Sequence, residues 1–245
     1  MEYYVGKDYS LGGITLLCKF DGQRVTMASQ IAGADETVSS LYSVKSEQAT
    51  MLSFDTYNYL VHYFGQPQGS MSDDPNGTLG GDYEFIISSA SADRIELKGK
   101  KYGNRIVMKA FSADQTWKQY LTRIKKVEDD AFFYEYDLRM DGLYTGQMLR
   151  SNYTFIVTYY DEVGKVHQKT VPFMFTTDGM RFHEPVTIDG QTMQNFVWKN
   201  ELISFVCTDE GATGVKLAGV YTAGYQSYDY YPGTYQMDFY RLNDE

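Results

Sequence analysis

Three histidines (His62, His167 and His183) and two cysteines (Cys18 and Cys207) are the residues of this 245-residue chain best suited to act as bases, nucleophiles or metal ligands. Their spacing does not favour that use. The histidines are spread over the chain with no ligand-like interval, and neither cysteine has a C-x-x-C partner. Both cysteines lie in apolar runs, which predicts buried core thiols. Carboxylates are more plentiful. Asp55, Asp82 and Glu84 fall near one another, and a pair of such groups is what glycoside hydrolysis uses. Nothing in the spacing fixes two of them at a working separation, however, and among 32 acidic residues such neighbours arise by chance. Nucleophile-elbow, zincin, Walker and dinucleotide fingerprints do not occur. Asp73-Asp74-Pro75-Asn76-Gly77 has the start of a calcium loop without its terminal glutamate, and it reads first as a turn. The sequence predicts no catalytic residue, no cofactor and no metal.

Binding chemistry has better support. The stretch Phe54-Asp55-Thr56-Tyr57-Asn58-Tyr59-Leu60-Val61-His62-Tyr63-Phe64 holds the densest aromatic cluster in the chain. Tyr57, Tyr59, His62 and Tyr63, with Asp55, Asn58 and the later Asp82, combine flat apolar faces with polar groups, as sugar or peptide sites do. Read as strand-turn-strand, the stretch carries aromatic residues on both faces, so the long loop after it, a second repeat or a ligand must cover some of them. A partial echo, Phe175 to His183, repeats the eight-residue interval from Phe to His. The echo lacks Asp55, Tyr57, Tyr59 and Tyr63.

The elements that position these residues follow from composition and pattern. With 23 Tyr, 14 Phe, 22 Gly and only 5 Pro, the chain favours strands joined by tight turns. The formal charge of −10 argues against nucleic acid and anionic membrane surfaces, which need basic patches. No apolar run approaches the roughly 20 residues that cross a bilayer as a helix, and Met1 leads straight into strand-like Glu2-Tyr3-Tyr4-Val5 with no signal peptide.

Strands are predicted at residues 14–20, 24–27, 41–44, 50–54, 59–64, 82–87, 94–98 and 104–109, with Asp21-Gly22 as a hairpin turn. Eight or nine short antiparallel strands in this length suit a closed barrel or a strongly curved sheet. The Gly/Pro/Ser/Asp segment 65–81 is the most adaptable part of the chain. A helix is predicted at about 113–127, capped by Ser112 with Gln115 and anchored to a sheet by Trp117. Strands then resume from Phe132, and a last one is expected near 234–241 in a tail rich in Tyr and Gly. The fold class is all-β: two divergent antiparallel barrels or curved sheets, lipocalin-like in outline, at 1–112 and 131–245, joined by a helix at 113–130.

The runs Leu52 to Phe64, Gly81-Asp82-Tyr83-Glu84-Phe85 and Leu97-Lys98-Gly99-Lys100-Lys101 resemble a Bacteroidetes lipoprotein family of unknown function, domain of unknown function 4302. The likeness extends over most of residues 2 to about 200. Glu2-Tyr3-Tyr4 is similar to the segment that follows a Gly-Trp pair in that family. The resemblance implies the soluble body of a cell-envelope lipoprotein, tethered at the outer membrane by a lipid anchor outside this chain. It transfers no activity or catalytic residue. The expected function is a non-catalytic binding or accessory module for a glycan, a peptide or a partner protein. The alternatives are a glycan-acting hydrolase using Asp55 or Glu84, and a structural envelope protein that packs against another chain.

Overall fold

The computed structural model describes residues 1–46, 49–67, 77–161 and 163–221. Its strands form two closed antiparallel barrels of eight strands each. The first barrel contains β1 (Glu2–Val5), β2 (Gly12–Asp21), β3 (Arg24–Ser29), β4 (Val38–Ser46), β5 (Thr50–Phe54), β6 (Glu84–Ala90), β7 (Arg94–Gly99) and β8 (Arg105–Lys109). Each strand pairs with the next in the chain, and β1 closes on β8 with Tyr3 opposite Ile106. The second barrel contains β9 (Glu135–Met140), β10 (Leu143–Ser151), β11 (Thr154–Tyr160), β12 (Val166–Phe175), β13 (Gly179–Ile188), β14 (Gln191–Lys199), β15 (Ser204–Cys207) and β16 (Val215–Gly219). It closes through β16 on β9, with Leu217 opposite Leu138. The all-β architecture of two barrels expected from the strand pattern is the one the chain adopts.

Short turns fix the registers. Asp21 pairs with Arg24, so the predicted hairpin turns through Gly22, at φ 59°, and Gln23. In the second barrel Asp141-Gly142 joins paired Met140 and Leu143, and Asp189-Gly190 joins paired Ile188 and Gln191. All four residues of these two turns have positive φ, as two-residue hairpins of the I′ type require.

An eight-stranded barrel has an interior just wide enough for side chains. Tyr3, Phe54 and Phe85 occupy it in the first barrel, with Phe85 edge-on to Tyr3 at 5.7 Å and to Phe54 at 6.2 Å. In the second, Phe155 stacks on Phe173 at 4.4 Å, and Tyr136 meets Phe155 edge-on at 5.6 Å. Burying each such ring contributes about 1.5–3 kcal/mol relative to exposure. The outline is lipocalin-like in being a closed eight-stranded antiparallel barrel, but the interior is filled by aromatic side chains.

Three expectations need correction. The segment after Phe54 is not a strand: Tyr59–His62 forms a short helix, α1, which continues as a 3-10 turn over Tyr63–Gly65. Helical spacing turns Leu60, Val61 and Phe64 inward, where Phe64 meets Tyr3 at 5.9 Å, and leaves Tyr59 and His62 outside. That resolves the two-faced aromatic pattern: Tyr63 and Phe64 are buried and Tyr57 is exposed. Second, the Phe–His echo is not a structural repeat, because Phe54 ends the fifth strand of its barrel while Phe175 ends the fourth strand of the other.

The third correction concerns the long helix, α2, which spans Trp117–Asp130 and so begins later than predicted. Its capping box is Thr116 with Gln119 instead of Ser112 with Gln115. Gln119 N–H donates to Thr116 Oγ1 at 3.2 Å, and Thr116 N–H donates to Gln119 Oε1 at 2.9 Å. Trp117 and Tyr120 pack with Leu121 against Leu17 and Ala28 of the first barrel, the anchoring role expected of Trp117. Most of the adaptable segment (68–76) and the tail with its expected strand near 234–241 lie outside the described residues.

The second barrel also buries an ion pair. Glu128 on α2 and Arg150 on β10 are 2% and 4% exposed, with charged atoms 3.8 Å apart. The Tyr153 hydroxyl donates to Glu128 Oε1 at 2.6 Å, and Arg150 Nε–H donates to the Asn152 carbonyl at 3.0 Å. The guanidinium lies over the rings of Phe175 and Phe132 at 5.1 and 5.3 Å. Burial pushes the Glu128 carboxyl above its ordinary value, against the opposing pull of Arg150.

Candidate functional site

The connection from β5 to β6 carries most of the residues singled out above. Asp55 N–H donates to the Leu41 carbonyl at 2.9 Å, and Leu41 N–H donates to Thr56 Oγ1 at 2.8 Å, which lays the start of the connection along β4. Asn58 then caps α1, its Oδ1 accepting from Leu60 N–H at 3.1 Å. Its Nδ2 donates to Ser40 Oγ at 3.2 Å and also reaches Met27 Sδ at 3.2 Å. The Tyr59 hydroxyl donates to Glu36.

These constraints bring Tyr57 and His62 together on the outside of the barrel, ring centroids 5.6 Å apart. Tyr83 completes the group, stacked on His62 at 4.9 Å with an interplanar angle of 17°. The Phe54 N–H to Tyr83 carbonyl bond at 3.0 Å holds the far end of the connection beside its beginning. The outer rings are open to solvent, Tyr57 at 62% and Tyr83 at 45%, while His62 between them is half-buried. Loss of hydration lowers the His62 pKa, so the imidazole is predominantly neutral near neutral pH. A depression of about 460 Å³ along β4 includes Leu41, Tyr42 and Asp55 in its lining.

Asp55 pairs with Lys45 at 3.4 Å. Burial alone would raise its carboxyl, but hydrogen bonds from Ser53 and Lys45 outweigh that and hold it below its ordinary value. The connection therefore carries an aromatic row and, two residues before Tyr57 in the chain, the Asp55 carboxylate paired with Lys45. That combination can stack on a flat apolar face and hydrogen-bond its polar edge.

Not every predicted residue belongs to this surface. Tyr63 is buried and packs edge-on against Phe64 at 5.7 Å. Asn58 is fully buried and acts as a cap. Asp82 is a buried clamp, its carboxylate accepting from the backbone N–H groups of Lys101 at 2.7 Å, Tyr102 at 3.1 Å and Asn104 at 3.1 Å. Asn104 returns the contact by accepting from Asp82 N–H at 3.0 Å. A Cβ on Gly99 would stand 1.9 Å from Asp82 Oδ2, so the clamp closes only over a glycine. Tyr83 and Glu36, which do belong at the surface, are legible only through partners distant in sequence.

Among the described residues no group of three His, Cys, Asp or Glu side chains is disposed to hold a metal ion. His167 of β12 is occupied by the preceding hairpin, with Asp161 of the turn at 2.8 Å and Tyr159, its cross-strand partner on β11, stacked at 5.2 Å. Cys207 is buried as expected and Cys18 half-buried, and desolvation pushes their thiols to about 11 and about 12, which keeps both protonated and unreactive. No helix among the described residues is long and apolar enough to cross a membrane.

The model of a family described as Domain of unknown function (DUF4302) matches residues 1–200. The chain belongs to this family. The matched span takes in the whole first barrel and α2 and reaches the end of β14. No curated protein and no solved structure matches the chain significantly.

Proposed function

We propose that the chain is a non-catalytic binding module of the cell envelope that holds a glycan or peptide against the outer surface of its first barrel. The observation that carries this reading is the row Tyr57, His62 and Tyr83, whose outer rings are exposed on a backbone pinned at both ends. Rigidly held aromatic rings with a polar flank bind at small entropic cost. The envelope location, with a lipid anchor outside this chain, rests on the family resemblance. A thermal-shift screen of glycans and peptides tests the binding. A ligand at about 100 times its Kd adds about 2.7 kcal/mol of stability, and the Tyr57→Ala/Tyr83→Ala variant is expected to lose that increment while melting near the wild-type temperature in its absence. A screen in which no ligand class raises the melting temperature, or a double variant that keeps the full increment, contradicts the proposal.

Hydrolysis by Asp55 and Glu84 has less support. Each carboxylate is held by its own lysine, Lys45 at 3.4 Å and Lys100 at 2.9 Å. A general acid needs a carboxyl raised above its ordinary value, and Asp55 is held below it.

A further inference from the structure

The second barrel carries a groove of about 440 Å³ at the level of Trp198, within the range that small-ligand sites occupy. We infer that this groove is a separate sugar subsite, in which one face of a neutral pyranose stacks on Trp198 while its hydroxyls bridge the flanking polar groups. The inference uses none of the residues of the first-barrel surface and stands or falls apart from it.

Trp198 is near the end of β14 and pairs across the sheet with Phe205 of β15. It therefore shares the inward face of Phe205, which is 1% exposed, yet it is itself only half-buried, so it stands at a rim of the barrel. Its ring is fixed from several directions. Phe205 meets it at 4.9 Å and 62°, Phe133 lies 6.2 Å away, and indole Nε1–H donates to Asn200 Oδ1 at 2.6 Å. The backbone N–H of Trp198 donates to the Asp178 carbonyl at 2.8 Å.

Polar groups flank this indole in two chains. Asn200 Nδ2 donates to Asp130 Oδ2 at 3.3 Å, and Lys126 Nζ binds the same carboxylate at 2.7 Å. Across the groove Arg123 pairs with Asp178. These side chains have a quarter to two-thirds of their area exposed, so they retain capacity for further hydrogen bonds. A fixed aromatic face with carboxylate, amide and guanidinium groups at its edges matches a pyranose ring, which offers a patch of C–H bonds and a rim of hydroxyls. Charge then selects among sugars. Lys126 is balanced by Asp130, Arg123 by Asp178, and the remaining lining charges Lys199 and Glu201 are of opposite sign, so the groove favours a neutral ring over a uronate or an amino sugar.

The chain has 2 Trp, so the Trp117→Phe variant makes Trp198 the sole indole reporter. Titration of this variant with cellobiose, maltose and lactose, with galacturonic acid and glucosamine as charged controls, is expected to give a saturable change in indole emission with at least one neutral disaccharide. Asn200→Ala is expected to weaken that binding about tenfold, through loss of hydrogen bonds to a charged network, and Tyr57→Ala to leave it unchanged. Saturation-transfer NMR on the chain carrying Tyr57→Ala/Tyr83→Ala gives the same reading without the reporter substitution, with Trp198→Ala removing the sugar signal. No saturable response to any neutral sugar by either method, a response confined to the charged sugars, or an affinity unaltered in both Asn200→Ala and Trp198→Ala overturns the inference.

Discussion

The two barrels share one strand order and differ most at one step. In the second barrel the fifth strand passes to the sixth through two residues, Asp189 and Gly190. In the first the same step takes residues 55–83. The extra chain forms the α1 turn that packs inward and the Tyr57, His62 and Tyr83 row that faces out. Since both interiors are filled by aromatic rings, closing the barrel does not by itself create a ligand site. The proposed binding surface lies where the scaffold is interrupted, as loops on rigid frames commonly carry function.

The barrels also stabilise their buried polar groups differently, and substitutions can test this. The largest effect is expected in the second barrel. Arg150→Met leaves Glu128 as an uncompensated buried acid and should cost roughly 3–5 kcal/mol in chemical denaturation. Glu128→Gln/Arg150→Met should recover much of that loss, and if it is no more stable than the single variant, the ion pair is not the source of the cost. Next comes the clamp of the first barrel. Asp82→Ala strips an acceptor from three backbone N–H groups and should cost roughly 3 kcal/mol, with hydrogen exchange accelerating at Lys101, Tyr102 and Asn104. Asp209, which accepts from the N–H groups of Gln194 and Asn195 at 2.5 and 2.8 Å, is the corresponding device in the second barrel and should tolerate Asp82→Ala without change.

Smaller effects concern the α1 turn itself. Asn58→Ala removes a cap and should cost about 1 kcal/mol, with further loss from the Ser40 contact. The pH response of His62 is smaller still. Its folded pKa is lowered below the ordinary 6.5, so the folded state binds the proton less readily than the unfolded chain. This contribution is fully present above pH 6.5 and is lost as pH falls through the folded value. Urea midpoints taken between neutral and mildly acidic pH should fall less steeply in His62→Gln than in the parent, and parallel slopes would show that His62 does not contribute.

Most strands were legible because their alternation agrees with their burial, as in Tyr136, Leu138 and Met140 of β9, which all point inward. The Asp141-Gly142 and Asp189-Gly190 turns are equally plain signals, and they locate the second barrel's hairpins without reference to any echo. The α1 turn is not legible from propensity, since Tyr, Val and Phe favour strands and only packing of Leu60, Val61 and Phe64 decides for a helix. Of the surface site, Asp55, Tyr57 and His62 could be read from one stretch. Tyr83 could not, because the pairing of β5 with β6 brings it to His62, and Asp82 took a structural role set by Asn104, 22 residues away.

The most direct test is a hydrogen–deuterium exchange footprint of the chain bound to the strongest ligand from the glycan and peptide screen. Binding on the outer surface predicts slower exchange over residues 55–66 and at Tyr83, with the amides of the aromatic-filled strands, such as Phe155 and Phe173, unchanged. Protection confined to interior strands, or none over residues 55–66, would contradict placement of the site on the connection that distinguishes the first barrel.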